Sequence, residues 1–260
     1  MSDIAWLLNG EALPPWGVLN GSMWRPQVTA RGTPITIPGR HGALTPARPC
    51  EFEAQQVKLE FTIRGTQVEI EERVNHLAQT LADPDLILTR ISGDVTASAP
   101  ARLVDLSSTE FVVGTVAHML ALVAIPGAFL RGPVVESVSL SSGTVEVASL
   151  MGSTAPITDA VLRFSNPSSG LSVRCAKTGT GVSWSGAASG NLFIDVGRFR
   201  AWTGSAGDWS GANAPMAGVL DYPPQGILQM WPTLFNSARR VRLDVSGGGS
   251  LVVRAAKAYL

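Results

Sequence analysis

Between Val57 and Leu81 the hydrophobic period of the chain changes once, and that change limits the folds open to it. Val57, Leu59, Phe61 and Ile63 alternate with Lys58, Glu60 and Thr62, the two-residue period of a strand with one buried face. After Gly65 the apolar positions Ile70, Val74, Leu77, Ala78 and Leu81 recur at helical spacing, while Glu71, Glu72 and Asn75 fall on the other side. Thr66 followed three residues later by Glu69 predicts a capping box at the start of this helix, and Asp83-Pro84-Asp85 predicts its end. No other segment carries a convincing helical period. The chain is therefore predicted to be mainly β, with a single helix over Thr66 to Leu81 in its first half.

Strand signals surround that helix. Ile4 to Leu8 is a short apolar run ended by Asn9-Gly10, a dipeptide that accepts positive φ at both positions and predicts a tight hairpin. Leu86 to Ile91 and Ala101 to Leu106 read as further strands, and Phe111 to Ile125 as one long strand buried along much of its length, closed by Pro126-Gly127. Between Gly32 and Pro49, four prolines (Pro34, Pro38, Pro46, Pro49) and the glycines Gly39 and Gly42 exclude a helix or a central strand. This segment is a long loop or extended arm, and its apolar Ile35 and Ile37 suit an arm that docks on another surface. Arg40 and His41 sit between two glycines, where backbones can approach closely, so Ile35, Ile37, Pro38, Gly39, Arg40 and His41 are the candidate oligomer interface.

At Pro133 the grammar changes, which predicts two domains, 1–132 and 133–260. Ser, Gly, Thr and aromatic residues rise, and strands are predicted at Val134 to Leu140, Thr144 to Val147, Ala160 to Ser165, Leu171 to Cys175, Leu192 to Val196, Gly226 to Trp231, Val241 to Val245 and Leu251 to Ala255. Their spacing favours a two-sheet β-sandwich. Gly247-Gly248-Gly249-Ser250, between two of these runs, reads as a hairpin turn.

Composition narrows the function classes. Lys plus Arg and Asp plus Glu are balanced at 20 each, so there is no electrostatic case for wrapping nucleic acid or docking on an anionic membrane. The longest apolar stretch, Val116 to Ile125, is interrupted by His118 and too short for a membrane-spanning helix. No basic region, apolar core and cleavage site follow Met1, so the chain is expected to be made in the cytoplasm without a secretory signal. Cys50 and Cys175 fall in different predicted domains and are expected to be unrelated free thiols.

Catalytic sets are equally sparse. His41, His76 and His118 lie on a loop, a helix and a strand without ligand spacing, so no metal or cofactor is expected. No Gly-x-Ser-x-Gly elbow occurs at a strand-to-helix turn, and Asp195, Asp208 and Asp221 read as turn residues rather than as a glycosidase pair. Trp184, Trp202, Trp209 and Trp231 make the second domain rich in aromatics. Most of these are expected in cores, with Trp202 and Trp209 as the candidate ligand platform.

Taken in order, these features resemble one family, the distal tail proteins (Dit-like) of long, flexible-tailed bacteriophages. The matching residues are Trp6-Leu7-Leu8-Asn9-Gly10, the loop Ile37-Pro38-Gly39-Arg40-His41-Gly42, the strand–helix–Asp83-Pro84 unit, the run Ile125-Pro126-Gly127-Ala128-Phe129, and the ending Ala258-Tyr259-Leu260. The resemblance covers essentially the whole chain. It implies an N-terminal tail-tube-like β-sandwich or barrel with one α-helix, followed by a C-terminal galectin-like β-sandwich. It further implies a non-enzymatic virion protein of the tail tip, a hexameric ring joining the tail-tube protein to the tail-tip hub or tail-associated protein. The tape measure and receptor-binding proteins are further implied partners, and DNA would pass through the channel without specific binding. An acidic excess of three charges in 1–132 suits such a channel. The His-x-Asn-x-Arg strand motif of sugar-binding galectins does not occur, since residues 133–260 contain no histidine. Two alternatives stay open: a carbohydrate-binding module contacting cell-wall sugars, and a tail-tube protein with an added outer domain.

Overall fold

The computed structural model describes residues 4–12, 25–31, 35–36, 41, 43–44, 51–112, 116–186, 190–211, 219–235 and 237–260. The chain forms two compact units, Met1–Pro46 with Cys50–Gly132 and Leu260, and Ala47–Pro49 with Pro133–Tyr259.

In the first unit the strands are β1 (Ile4–Leu8), β2 (Glu11–Ala12), β3 (Ala30–Arg31), β4 (Ile35–Thr36), β5 (Ala43–Leu44), β6 (Glu51–Phe52), β7 (Gln55–Arg64), β8 (Ile87–Ser92), β9 (Val95–Pro100), β10 (Arg102–Val112) and β11 (Val116–Ile125). β12 (Leu130–Glu136) begins in this unit, and its Arg131 pairs with Ser98 of β9. One antiparallel sheet runs β2–β1–β8–β9, and a second runs β10–β11–β7. Helix α1 (Gln67–Leu81) packs on β7. Val57, Leu59, Phe61 and Ile63 of β7 are fully buried, and their partners across the ladder, Val123, Ala121, Met119 and Ala117, are buried with them. Ile70, Leu77 and Leu81 of α1 are buried too. At about 1.5–3 kcal/mol for each large apolar side chain, this alternation is what fixes the register, because a one-residue slip would turn the whole row outward.

The helix starts where the capping box predicts. Thr66 Oγ1 accepts from the Glu69 N–H, and Glu69 Oε2 accepts from the Thr66 N–H at 2.8 Å. The same Oε2 also accepts from the Thr66 hydroxyl at 2.9 Å, and these bonds from the Thr66 N–H and hydroxyl hold the exposed Glu69 carboxyl below its usual range. At the other end, Asp83 Oδ1 accepts from the Asp85 N–H at 2.9 Å, closing the turn that stops the helix. The opposite carboxylate oxygen takes the Asn9 side-chain N–H at 2.9 Å, while Asn9 Oδ1 takes the Ile87 N–H at 2.8 Å. Two turns read independently in the sequence are thus tied to each other.

In the second unit the strands are β13 (Gly143–Glu146), β14 (Val161–Ser165), β15 (Leu171–Cys175), β16 (Gly181–Trp184), β17 (Asn191–Asp195), β18 (Arg200–Gly204), β19 (Leu220–Asp221), β20 (Thr233–Phe235), β21 (Ala238–Arg240), β22 (Arg242–Ser246) and β23 (Ser250–Tyr259). One sheet runs β18–β17–β14–β23, the other β13–β22–β15–β16–β19, and β20 pairs with β21. The two larger sheets make a sandwich. Leu162, Phe164, Leu192, Ile194, Leu251 and Val253 are buried from the first, and Leu171, Val173, Val182, Trp184, Leu243 and Val245 from the second.

Several expectations need correction. Phe111 to Ile125 is not one strand: β10 ends at Val112, β11 begins at Val116, and these two residues pair, so the chain doubles back as an antiparallel ladder. Apolar residues on both sides of the reversal hid it. Residues 95–100, with small Thr, Ala and Ser side chains, form β9 although they carry no strong alternation. Gly226 to Trp231 makes only isolated bridges, Gly181 to Ile227 and Ile157 to Met230. The arm between Gly32 and Pro49 contains a short ladder in which Ile35 faces Leu44 and Thr36 faces Ala43.

The triple glycine is not a hairpin turn either. β22 and β23 belong to different sheets, so Gly247–Gly249 is an arch across the sandwich. It lies against the other crossing, from β14 to β15. A Cβ on Gly249 would lie 1.9 Å from the Ser165 carbonyl oxygen, and one on Gly247 would lie 2.6 Å from Leu171 Cβ. The Gly248 N–H donates to Ser168 Oγ at 2.6 Å. Close approach of two backbones is what requires glycine here.

Candidate functional site

Of the arm residues, Ile37, Pro38, Gly39 and Arg40 lie outside the described residues. Ile35 sits in the β4–β5 ladder and His41, beyond it, is exposed.

The aromatic candidates are better defined, because the β18–β17–β14–β23 sheet is covered on its second face as well. Trp202, Phe193, Arg163 and Val252 stand side by side across that face, as do Arg200, Asp195, Val161 and Arg254 in the next row. Trp202 is 1% exposed and stacked on Phe193, with ring centres 5.3 Å apart and planes 4° from parallel. Its Nε1 donates to the Asp208 carbonyl at 3.2 Å. Trp202 therefore has no face to offer a ligand, which corrects half of the platform expected from the sequence. Burial of an indole is tolerated because its one polar atom is satisfied.

What covers Trp202 is the Gly204–Gly211 loop. A Cβ on Gly204 would meet Asp208 Oδ2 at 2.8 Å, and one on Gly211 would meet Arg200 Nη2 at 2.9 Å, so the loop lies tight on the sheet. Arg163 Nη1 donates to the Ala206 carbonyl. Trp209 rides on this loop, half-buried, edge-on to Phe193 with ring centres 5.3 Å apart. The guanidinium carbons of Arg163 and Arg254 lie 5.1 and 5.4 Å from its ring centre. An open cleft of about 540 Å³ adjoins it, lined by Asp159, Val161, Asp208, Trp209, Ser210 and Arg254 among others. Arg163 and Arg254 are not legible as site residues, because only the register of β14 against β23 brings them to Trp209; Asp159 comes to the cleft from just before β14, and Ser210 follows Trp209 on the loop.

The three aspartates are engaged locally. Asp195 lies 3.5 Å from Arg200 Nε and accepts the Arg198 N–H. Asp208 accepts from Ser210 Oγ at 2.7 Å, and Asp221 accepts the Tyr222 N–H at 2.8 Å. His118 Nδ1 is 3.4 Å from Thr62 Oγ1 on the neighbouring strand. Among the described residues, no three His, Cys, Asp or Glu side chains group as metal ligands would. Cys175 is a buried free thiol, and Cys50 lies outside the described residues.

No protein-family model and no curated protein matches the chain. Among solved structures it is similar to the Dit protein (gp 19.1) of phage SPP1, described as a paradigm of the hub adsorption apparatus in phages that infect Gram-positive bacteria. The TM-score is 0.59 at 14% identity, over 99% of this chain and 100% of that one. A chain of the phage P2 baseplate in its activated conformation with Ca aligns over 97% of this chain and 98% of its own, with a TM-score of 0.36 and 11% identity, too loose a likeness to argue from. The chain, mainly β with one α-helix among the described residues, shares its fold with SPP1 Dit over nearly its whole length.

Proposed function

We propose that the chain is a structural, non-enzymatic subunit of a phage tail tip, carried in the virion as part of the hub or baseplate. The observation that supports this reading most is the extent of the likeness to SPP1 Dit, which takes in both chains almost entirely and leaves neither unit over. In the finer reading, domains 1–132 and 133–260 have separate work: the first closes by rotation into a six-membered ring, and the second faces outward. Heterologous contacts that close in this way need one surface to fit a different surface on the next copy. A face of α1 together with the arm residues Ile35, Ile37, Pro38, Gly39, Arg40 and His41 is the proposed seam. The tail-tube protein would sit on one side of the ring and the hub protein on the other, with tape measure and receptor-binding proteins as further partners and DNA leaving through the channel.

Native mass and imaging of the purified chain test the assembly. A closed six-membered ring is expected. A monomer that persists to ~100 µM, alone and with the tail-tube protein, would overturn the ring, since a seam that weak could not hold a virion part. Open-ended tubes would instead make it a tube subunit. If Arg40→Glu and deletion of residues 35–42 both leave assembly unchanged, the seam lies elsewhere.

A further inference from the structure

We propose that the cleft beside Trp209 is a binding site for a neutral saccharide, built without a His-x-Asn-x-Arg motif. Its ≈ 540 Å³ falls within the range of small-ligand pockets, about 300–1,000 Å³. Its lining selects among ligand classes. Asp159 and Asp208 disfavour an anion, and the Arg254 guanidinium beside them disfavours a simple cation. A neutral ligand that both donates and accepts hydrogen bonds fits all three, with Ser210 as a further partner. Trp209 and Val161 supply the apolar surface that the C–H face of a sugar ring needs.

The site is also held in place before any ligand arrives. The Trp209 ring is braced edge-on by Phe193 and lies over Arg163 and Arg254, all three rising from the sheet below. Asp208 is fixed at its carboxylate by Ser210 and at its carbonyl by Trp202. Little side-chain freedom is lost on binding, so a shallow cleft can still hold a sugar. All of these residues belong to the Pro133–Tyr259 unit, so the site does not depend on ring formation.

Titration calorimetry of the full chain against neutral mono- to trisaccharides of gluco, galacto, manno and N-acetylated configuration tests this. Saturable binding is expected near ~1 mM for at least one of them, weakened ~10-fold or more by Asp159→Asn. Asp159 is exposed, so this variant should keep the wild-type melting temperature, and Trp209→Ala should abolish binding. Absence of saturation with every sugar overturns the proposal, and so does binding that Asp159→Asn leaves unweakened, whatever Trp209→Ala does. Sugar binding by a monomer would leave this site standing while the ring reading falls.

Discussion

Two glycine turns in this chain look alike in sequence and do opposite work. Gly10 has φ 82° and nothing within 4 Å of where a Cβ would be, and it joins two neighbouring strands of one sheet. Gly249 has φ 92° and a carbonyl oxygen at 1.9 Å, and it carries the chain from one sheet to the other. The first glycine answers a local demand of the backbone. The second answers a demand made by Ser165, eighty-four positions away in the sequence. The difference shows where sequence reading works: local geometry is written locally, while crowding is written by whatever the fold brings near.

Substitution should separate the two. Gly249→Ala is expected to cost about 5 kcal/mol, enough to unfold a unit of ordinary stability, because the arch cannot move without displacing the β14–β15 crossing. Loss of the sandwich's near-ultraviolet circular dichroism would report it. Trp202→Ala, another substitution felt across distant strands, should cost about 3–5 kcal/mol in denaturant unfolding, as the Gly204–Gly211 loop loses the ring it covers. Gly10→Ala has only backbone strain to bear, about 1–2 kcal/mol. If Gly10→Ala proves as damaging as Gly249→Ala, the distinction between open and crowded glycines fails.

The smallest expected effect is at the helix cap, where Thr66→Ala should cost about 1 kcal/mol. It carries a pH signature. Glu69 has a lowered folded value through its hydrogen bonds to Thr66, so its contribution is present at neutral pH, above the unfolded value, and is lost as pH falls through the folded one. Thr66→Ala should therefore cost less in acid than at pH 7. An equal cost at both would mean the Thr66 hydroxyl adds nothing to the hold on the carboxylate, since the bond from the residue-66 backbone N–H survives the substitution.

Legibility in the sequence follows the same division. The hairpin at Asn9-Gly10, the Val57–Ile63 alternation, the capping box and the Asp83 stop are each set by residues within a few positions of one another, and each stands in the fold as read. The Val112–Val116 reversal is hard to read because Gly114-Thr115 is flanked on both sides by apolar strand formers, so one glycine passes for an interruption within a single strand. β9 is hard to read because only Val95 and Thr96 are strand formers, and Ala97, Ser98, Ala99 and Pro100 supply neither strand preference nor alternation. At the cleft, Trp209 was legible as an aromatic among glycines. Arg163, Arg254 and Asp159 were not, since nothing short of the strand order places them beside it.

The position of β23 has a consequence for how the protein is made. It is the last strand of the second unit, yet it lies inside its sheet, paired with β14 and also holding the chain at Ser137 and Leu140. On a ribosome, residues 4–125 supply the paired sheets and helix of the first unit well before β23 exists. The sandwich, by contrast, must wait with β14 unsatisfied on one edge until synthesis reaches Ser250. Nascent chains stalled before that residue should present an exposed strand edge, and with it the greatest opportunity for mispairing that this protein meets.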